Sequence, residues 1–155
     1  MTFLEHIEIE SCFQFDFIDD LTLIVSTREG QFKYNKTGSK WTQTAQVGTV
    51  EQGFCLRCIG NNIYVGSLSK GLVLLSPDGS KQETLAGQGC FGLTVFNDTL
   101  CYVNKEKKEV QRFKDNEKLE PLTLPYHGGL ISTLESSQVL LIAGDSGYSV
   151  YDKEF

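Results

Sequence analysis

The chain has 155 residues, 40% hydrophobic and 22% charged, which leaves room for one core, excludes two ordinary domains with a linker, and is unlike a disordered chain. Fourteen Lys and Arg against 20 Asp and Glu give a formal charge of −6, and without a basic stripe such a chain repels phosphate backbones, so no nucleic-acid partner is expected. Residues 1–10 are acidic and alternate in polarity, unlike a secretory signal, and apolar runs such as 139–143 fall far short of the roughly 20 residues of a membrane helix. Five cysteines, Cys12, Cys55, Cys58, Cys90 and Cys101, are odd in number and sit in apolar runs. They are expected to be reduced, buried thiols of a cytoplasmic protein without membrane association.

In chain order, residues 2–9 alternate like an outermost strand. A first unit then has strands at 12–18, at 21–25 after the turn Asp19-Asp20, from Gly30 past Tyr34, and at 40–46. The second has 54–59, 63–66 after Asn61-Asn62, a run from Gly71 to Leu75, and 81–86. A third has 90–96, 100–103 after Asn97-Asp98-Thr99, a run from Glu109 to Phe113, and 119–124, where Pro121 fits only an outermost strand that can spare a donor. The fourth has 130–134, 139–143 after Ser136-Ser137-Gln138, and a run from Gly147 to Tyr151. Short runs rich in Val, Ile, Tyr, Phe and Thr, with Gly, Asn, Asp and Ser between them and no apolar stripe of helical period, predict an all-β chain.

The units repeat. The second strands start 42, 37 and 39 residues apart, and Tyr34, Leu75, Phe113 and Tyr151 each follow their third-strand landmark by four residues. Four antiparallel strands per unit of about 40 residues is the arithmetic of a β-propeller blade. Tyr151-Asp152 stands where a third strand would end in Trp-Asp, with Tyr34-Asn35, Leu75-Ser76 and Phe113-Lys114 in the other units. Gln52-Gly53, Gln88-Gly89 and His127-Gly128-Gly129 stand just before opening strands. On these residues the chain resembles the WD40-like β-propeller superfamily over nearly its whole length.

That resemblance implies one domain over residues 1–155, with blade units at about 12–53, 54–89, 90–129, and 130–155 plus 1–11. The fourth unit stops after its third strand, so the N-terminal strand is expected to complete it and close a four-bladed ring, which removes an open sheet edge. The alternative is a homodimer in which two chains exchange terminal strands in one eight-bladed ring.

Chemical motifs are sparse. Cys55-Leu56-Arg57-Cys58 has the C-x-x-C spacing of zinc and redox sites, but residues three apart on a strand point to opposite faces, so packing is expected and no metal. The chain has two histidines, His6 and His127, and neither lies in a recognisable triad pattern. Phosphate-cradling glycine loops do not occur, and no cofactor is expected. Asp16, Asp19 and Asp20 lack calcium-loop spacing and read as turn residues. The resemblance also implies that loops joining second and third strands share one face with the loops between blades. That face would carry Arg28, Glu29, Lys70, Lys107, His127 and Asp145 as partner-binding residues, with Gln52 and Gln88 beside them. The expected function is a non-enzymatic protein–protein interaction module, or a subunit of a larger complex, that binds protein partners through these loops. The alternatives are a lectin-type or small-ligand-binding propeller and an enzyme with a central-channel site.

Overall fold

A computed structural model of the chain describes residues 6–87, 89–104, 106–125, 128–134 and 139–152. Among these, every regular element is a strand. The first sheet holds β1 (Cys12–Asp19), β2 (Thr22–Thr27), β3 (Gln31–Thr37) and β4 (Lys40–Gly48). The second holds β5 (Gly53–Ile59), β6 (Asn62–Ser67), β7 (Gly71–Leu75) and β8 (Gln82–Ala86). The third holds β9 (Cys90–Phe96), β10 (Thr99–Asn104), β11 (Glu109–Lys114) and β12 (Glu117–Thr123), and the fourth β13 (Gly128–Leu134), β14 (Val139–Gly144) and β15 (Gly147–Tyr151).

Each strand pairs antiparallel with its sequence neighbour, as short turns require. The β9–β10 turn puts Asn97 and Asp98 at φ 48° and 57°, and the β11–β12 turn puts Asp115 and Asn116 at 52° and 67°. Consecutive left-handed residues of this kind match the twist of the strands they join, and Asn and Asp tolerate that region better than other side chains do. The outermost strands β4, β8 and β12 are the polar, largely exposed ones, and Pro121 lies on the edge strand β12.

The sheets stack face to face. First strands lie side by side, β1 with β5, β5 with β9 and β9 with β13, and three apolar clusters fill the spaces between successive sheets. Each sheet therefore has an upstream face towards its predecessor and a downstream face towards its successor. The pairing Leu23–Tyr34, Ile63–Leu75, Leu100–Phe113 and Leu140–Tyr151 recurs at one register position on the upstream face of all four sheets. This is why the aromatic and leucine landmarks keep their spacing in the sequence. One slip of a residue would turn each of these side chains away from its cluster.

Polar bonds tie the first two sheets as well. The backbone N–H of Leu56 donates to Gln14 Oε1 (3.0 Å) and that of Cys58 to Asp16 Oδ2 (2.9 Å). Asp16 and Asp19 are thus structural: Asp19 Oδ1 accepts from the Leu21 N–H at 2.8 Å within the β1–β2 turn. Cys55 packs in the cluster between the second and third sheets and Cys58 against the cluster between the first and second, so the two thiols diverge as strand geometry requires.

The expected closing strand falls partly outside the described residues, which begin at His6. Residues 6–9 form no strand pairing, and Ile7 and Ile9 pack on Leu23, Val25 and Tyr34 of the first sheet's upstream face. No hydrogen bonds close the sheets into a ring among the described residues.

Candidate functional site

In the first three sheets the turn that joins second to third strand begins with a short polar residue that fixes the turn backbone. Thr27 Oγ1 accepts from the Glu29 N–H at 3.1 Å and donates to the Gly30 carbonyl at 3.1 Å. Ser67 Oγ accepts from the Lys70 N–H at 3.3 Å. Asn104 Oδ1 accepts from the Glu106 and Lys107 N–H groups at 3.0 and 3.1 Å. Side-chain to backbone bonds of this kind satisfy donors that the ladder leaves over, so each turn has one preferred shape.

The loops between sheets are bonded to the same turns. Ser26 Oγ donates to the Gly53 carbonyl at 2.7 Å, and Ser67 Oγ to the Glu51 carbonyl at 3.3 Å. Gly89 N–H donates to the Leu68 carbonyl (2.9 Å) and Leu124 N–H to the Lys108 carbonyl (2.7 Å). Turns and linkers of the first three sheets therefore share one rim, each linker bonded to an adjoining turn. At its centre is Gln31, fully buried, whose Nε2 donates to Ser26 Oγ and the Val50 carbonyl, both at 3.0 Å, and whose Oε1 accepts the Val50 N–H at 3.1 Å. A buried amide satisfied on both ends is a rigid pin, because any movement of the β4–β5 loop would orphan Val50.

Five of the six expected partner-binding residues can be placed. Arg28 and Glu29 occupy the β2–β3 turn, Lys70 the β6–β7 turn, Lys107 the β10–β11 turn and Asp145 the β14–β15 turn, and all five are exposed. His127 and Gln88 lie outside the described residues. Gln52, exposed in the β4–β5 loop with φ 52°, joins Arg28 and Glu29 at an open cleft of about 880 Å³. Lys70, Lys107 and Asp145 do not line that cleft; they are spread along the rim. Glu8, Glu10 and Glu51 line the cleft too, so four carboxylates surround the single Arg28. This grouping is not legible in the sequence, because Glu8 and Glu10 lie about forty residues from Glu51 and only the fold brings them to one cleft.

No group of three or more His, Cys, Asp and Glu side chains with metal-holding geometry occurs among the described residues. Burial pushes the Cys58 and Cys101 thiols up to about 12, Cys58 with help from the nearby Asp16 carboxylate, so neither supplies a thiolate for chemistry at neutral pH. Cys90 is raised well above the usual thiol range by complete burial, while Cys55, which shares a hydrogen bond with it, is lowered. The two sit face to face in the core beneath Gly66.

No family model matches the chain, and no curated protein matches it. Solved structures do. The computationally designed Ika4 protein superposes with a TM-score of 0.72 at 8% identity, over 98% of both chains. The WD40 β-propeller domain of Doa1 gives 0.69 at 14% identity over 92% of this chain and 52% of that one. The N-terminal domain of Nup159 gives 0.65 at 20% identity over 97% of this chain and 46% of that one. The chain therefore spans about half the length of these last two domains. Antiparallel sheets of three or four strands stacked through their first strands, together with these superpositions, show a fold of stacked β-propeller-type blades.

Proposed function

We propose that the chain is a non-enzymatic protein-recognition module, or a subunit of a larger complex, that docks a protein partner on its loop rim. The observation that carries this reading is the rim itself: exposed charged side chains held on turns and linkers that are bonded to one another and pinned by buried Gln31. A rigid, charged loop surface on a stable scaffold recognises partners at low ordering cost. Mixed charge along the rim, Arg28, Lys70 and Lys107 against Glu29 and Asp145, selects partners by complementarity. Where Glu8, Glu10, Glu29 and Glu51 surround Arg28, a partner segment richer in Lys and Arg fits best.

Structural neighbours point the same way. Nup159 occurs in a solved assembly of yeast Dbp5 with Gle1, and the N-terminal part of BBS1 in one with ARL6. A cytosolic setting accords with the free, buried thiols of Cys55, Cys90 and Cys101.

The test is quantitative affinity capture comparing the wild type with Arg28→Glu/Lys70→Glu and with Glu29→Lys/Glu51→Lys, all on exposed turns. Partners lost with either pair and retained by a Lys118→Glu control on the exposed strand β12 support the rim. A capture profile unchanged by both pairs contradicts it.

A further inference from the structure

Each sheet-to-sheet space in the chain is filled by the downstream face of one sheet and the upstream face of the next. Two faces have no such neighbour, the upstream face of the first sheet and the downstream face of the fourth. Register shows what they are. Phe15 pairs with Val25 as Leu56 pairs with Val65 and Leu93 with Tyr102, yet Phe15 is 57% exposed whereas Leu56 is 0%. Phe17 pairs with Leu23 as Cys58 pairs with Ile63, and it is 47% exposed. On the other end, Val150 pairs with Leu141 as Leu74 pairs with Tyr64, and Tyr148 with Ala143 as Leu72 with Gly66. Leu72 and Leu74 are buried, whereas Tyr148 and Val150 are 77% and 55% exposed.

The large exposed apolar side chains are confined to these two end sheets; the middle sheets show none among the described residues. Contiguous apolar exposure of this kind marks an interaction surface. The two faces are unlike halves of one interface, already present three times within the chain, and an upstream face can be covered in this way only by a downstream one. Ile7 and Ile9 cover Leu23, Val25 and Tyr34 on the first of these faces, but among the described residues no sheet lies against either, and Phe15, Phe17, Tyr148 and Val150 stay exposed.

We infer that the occupant is a second copy of this chain, the upstream face of each first sheet packing on the downstream face of the other's fourth sheet. A copy brings both missing halves at once, and a two-fold pair makes two identical unlike-face contacts that close with no free end. The WD40 β-propeller domain of Doa1 is about twice the stretch that this chain matches. Ile7 and Ile9 already lie on the first sheet's upstream face, so residues 6–9 would sit at the edge of that contact.

The experiment is size exclusion coupled to light scattering over a range of concentrations, on the wild type, Phe17→Glu, Val150→Lys and an equimolar mixture of the two variants. Both substitutions are at exposed positions, and circular dichroism checks that each variant keeps its strands. The wild type should have twice the 17.3 kDa chain mass and each variant 17.3 kDa. The mixture should return to twice that mass, because it pairs one intact upstream face with one intact downstream face and puts both altered faces together as Glu against Lys. A wild type of 17.3 kDa at every concentration, as expected if the faces belong to another protein, overturns the inference. So does a mass that keeps growing past two chains, a dimer indifferent to both substitutions, or a mixture that stays monomeric.

Discussion

The two middle sheets and the two end sheets are built on the same register, yet only the middle ones have a sheet against both faces. Leu56, Leu72 and Leu93 are enclosed; Phe15 and Tyr148, which occupy the matching positions on the ends, are exposed. The difference does not lie in residue type, since Phe15, Phe17, Tyr148 and Val150 are themselves large hydrophobic side chains. It lies in having a neighbour. A blade is stable only when stacked, and a sequence that writes a stackable face onto its first and last sheets implies something to stack there.

The largest effect that would sharpen this contrast comes from truncating matched positions. Leu56→Ala should cost about 2–5 kcal/mol, since it empties space between the first two sheets. Phe15→Ala, measured in dilute solution where the end faces are wet, should cost less than about 0.5 kcal/mol. Urea denaturation of both variants reads the difference, and equal losses would break the comparison.

Gly66 and Ala143 are the next matched pair. A methyl added at Gly66 would strike the Cys55 and Cys90 sulfurs, so Gly66→Ala should cost about 1–3 kcal/mol despite removing backbone freedom. Ala143, at the same position on the open face, already carries that methyl without an opposing sheet. Ala143→Gly should cost about 1 kcal/mol or less, the ordinary loss for glycine within a strand.

A change of comparable size is expected at the pin of the loop rim. Gln31→Leu fits the space but strips the Val50 N–H and carbonyl of partners, which should cost about 1–3 kcal/mol. It should also speed hydrogen exchange at Val50 while leaving β14 amides as they are. Unchanged exchange at Val50 would show that the rim is held by something else.

Thiol chemistry separates buried from open positions without mutation. With Cys58 and Cys101 pushed to about 12, alkylation at pH 8 should reach exposed Cys12 in the native protein and the buried thiols only after unfolding. Mass spectrometry of the labelled peptides decides it. Modification of Cys101 as fast as Cys12 would contradict the burial of the space between the third and fourth sheets.

The smallest effect belongs to a fully exposed turn. Ser76 and Ser80 donate to Asp78 Oδ1 and hold its carboxyl down at about 2, below its ordinary 3.8. A depressed carboxyl stabilises the fold above its unfolded value and loses that contribution as pH falls towards 2. Asp78→Asn should therefore lower Tm slightly at pH 7, with the gap to the wild type closing in acid. A gap that persists at pH 2 would assign the effect to the turn's shape instead of its charge.

Strand order and the repeat were legible in the sequence because strands buried on both faces read as continuous apolar runs, and the paired landmarks at Leu75 and Phe113 recur at one register position. The divergence of Cys55 and Cys58 followed from period two alone. What could not be read was exposure: Phe15 and Phe17 alternate with Gln14, Asp16 and Ile18 as core residues would, and only the stacking shows that no sheet covers them. The rim was legible as a set of turn residues, Arg28, Lys70 and Lys107 among them. Its pin at Gln31 was not, because one polar residue at the start of β3 looks like any edge position until its amide is seen against Val50.

The most direct test of the account is small-angle X-ray scattering of the wild-type chain at a concentration where its mass is constant. Two chains closed into one compact ring predict a radius of gyration of about 20 Å, and a lone compact chain about 15 Å, by the size scaling of folded domains. The larger value, with twice the chain mass, is the expected result. The smaller value, with the mass of a single chain, would mean that the end faces wait for a different partner, and would contradict it.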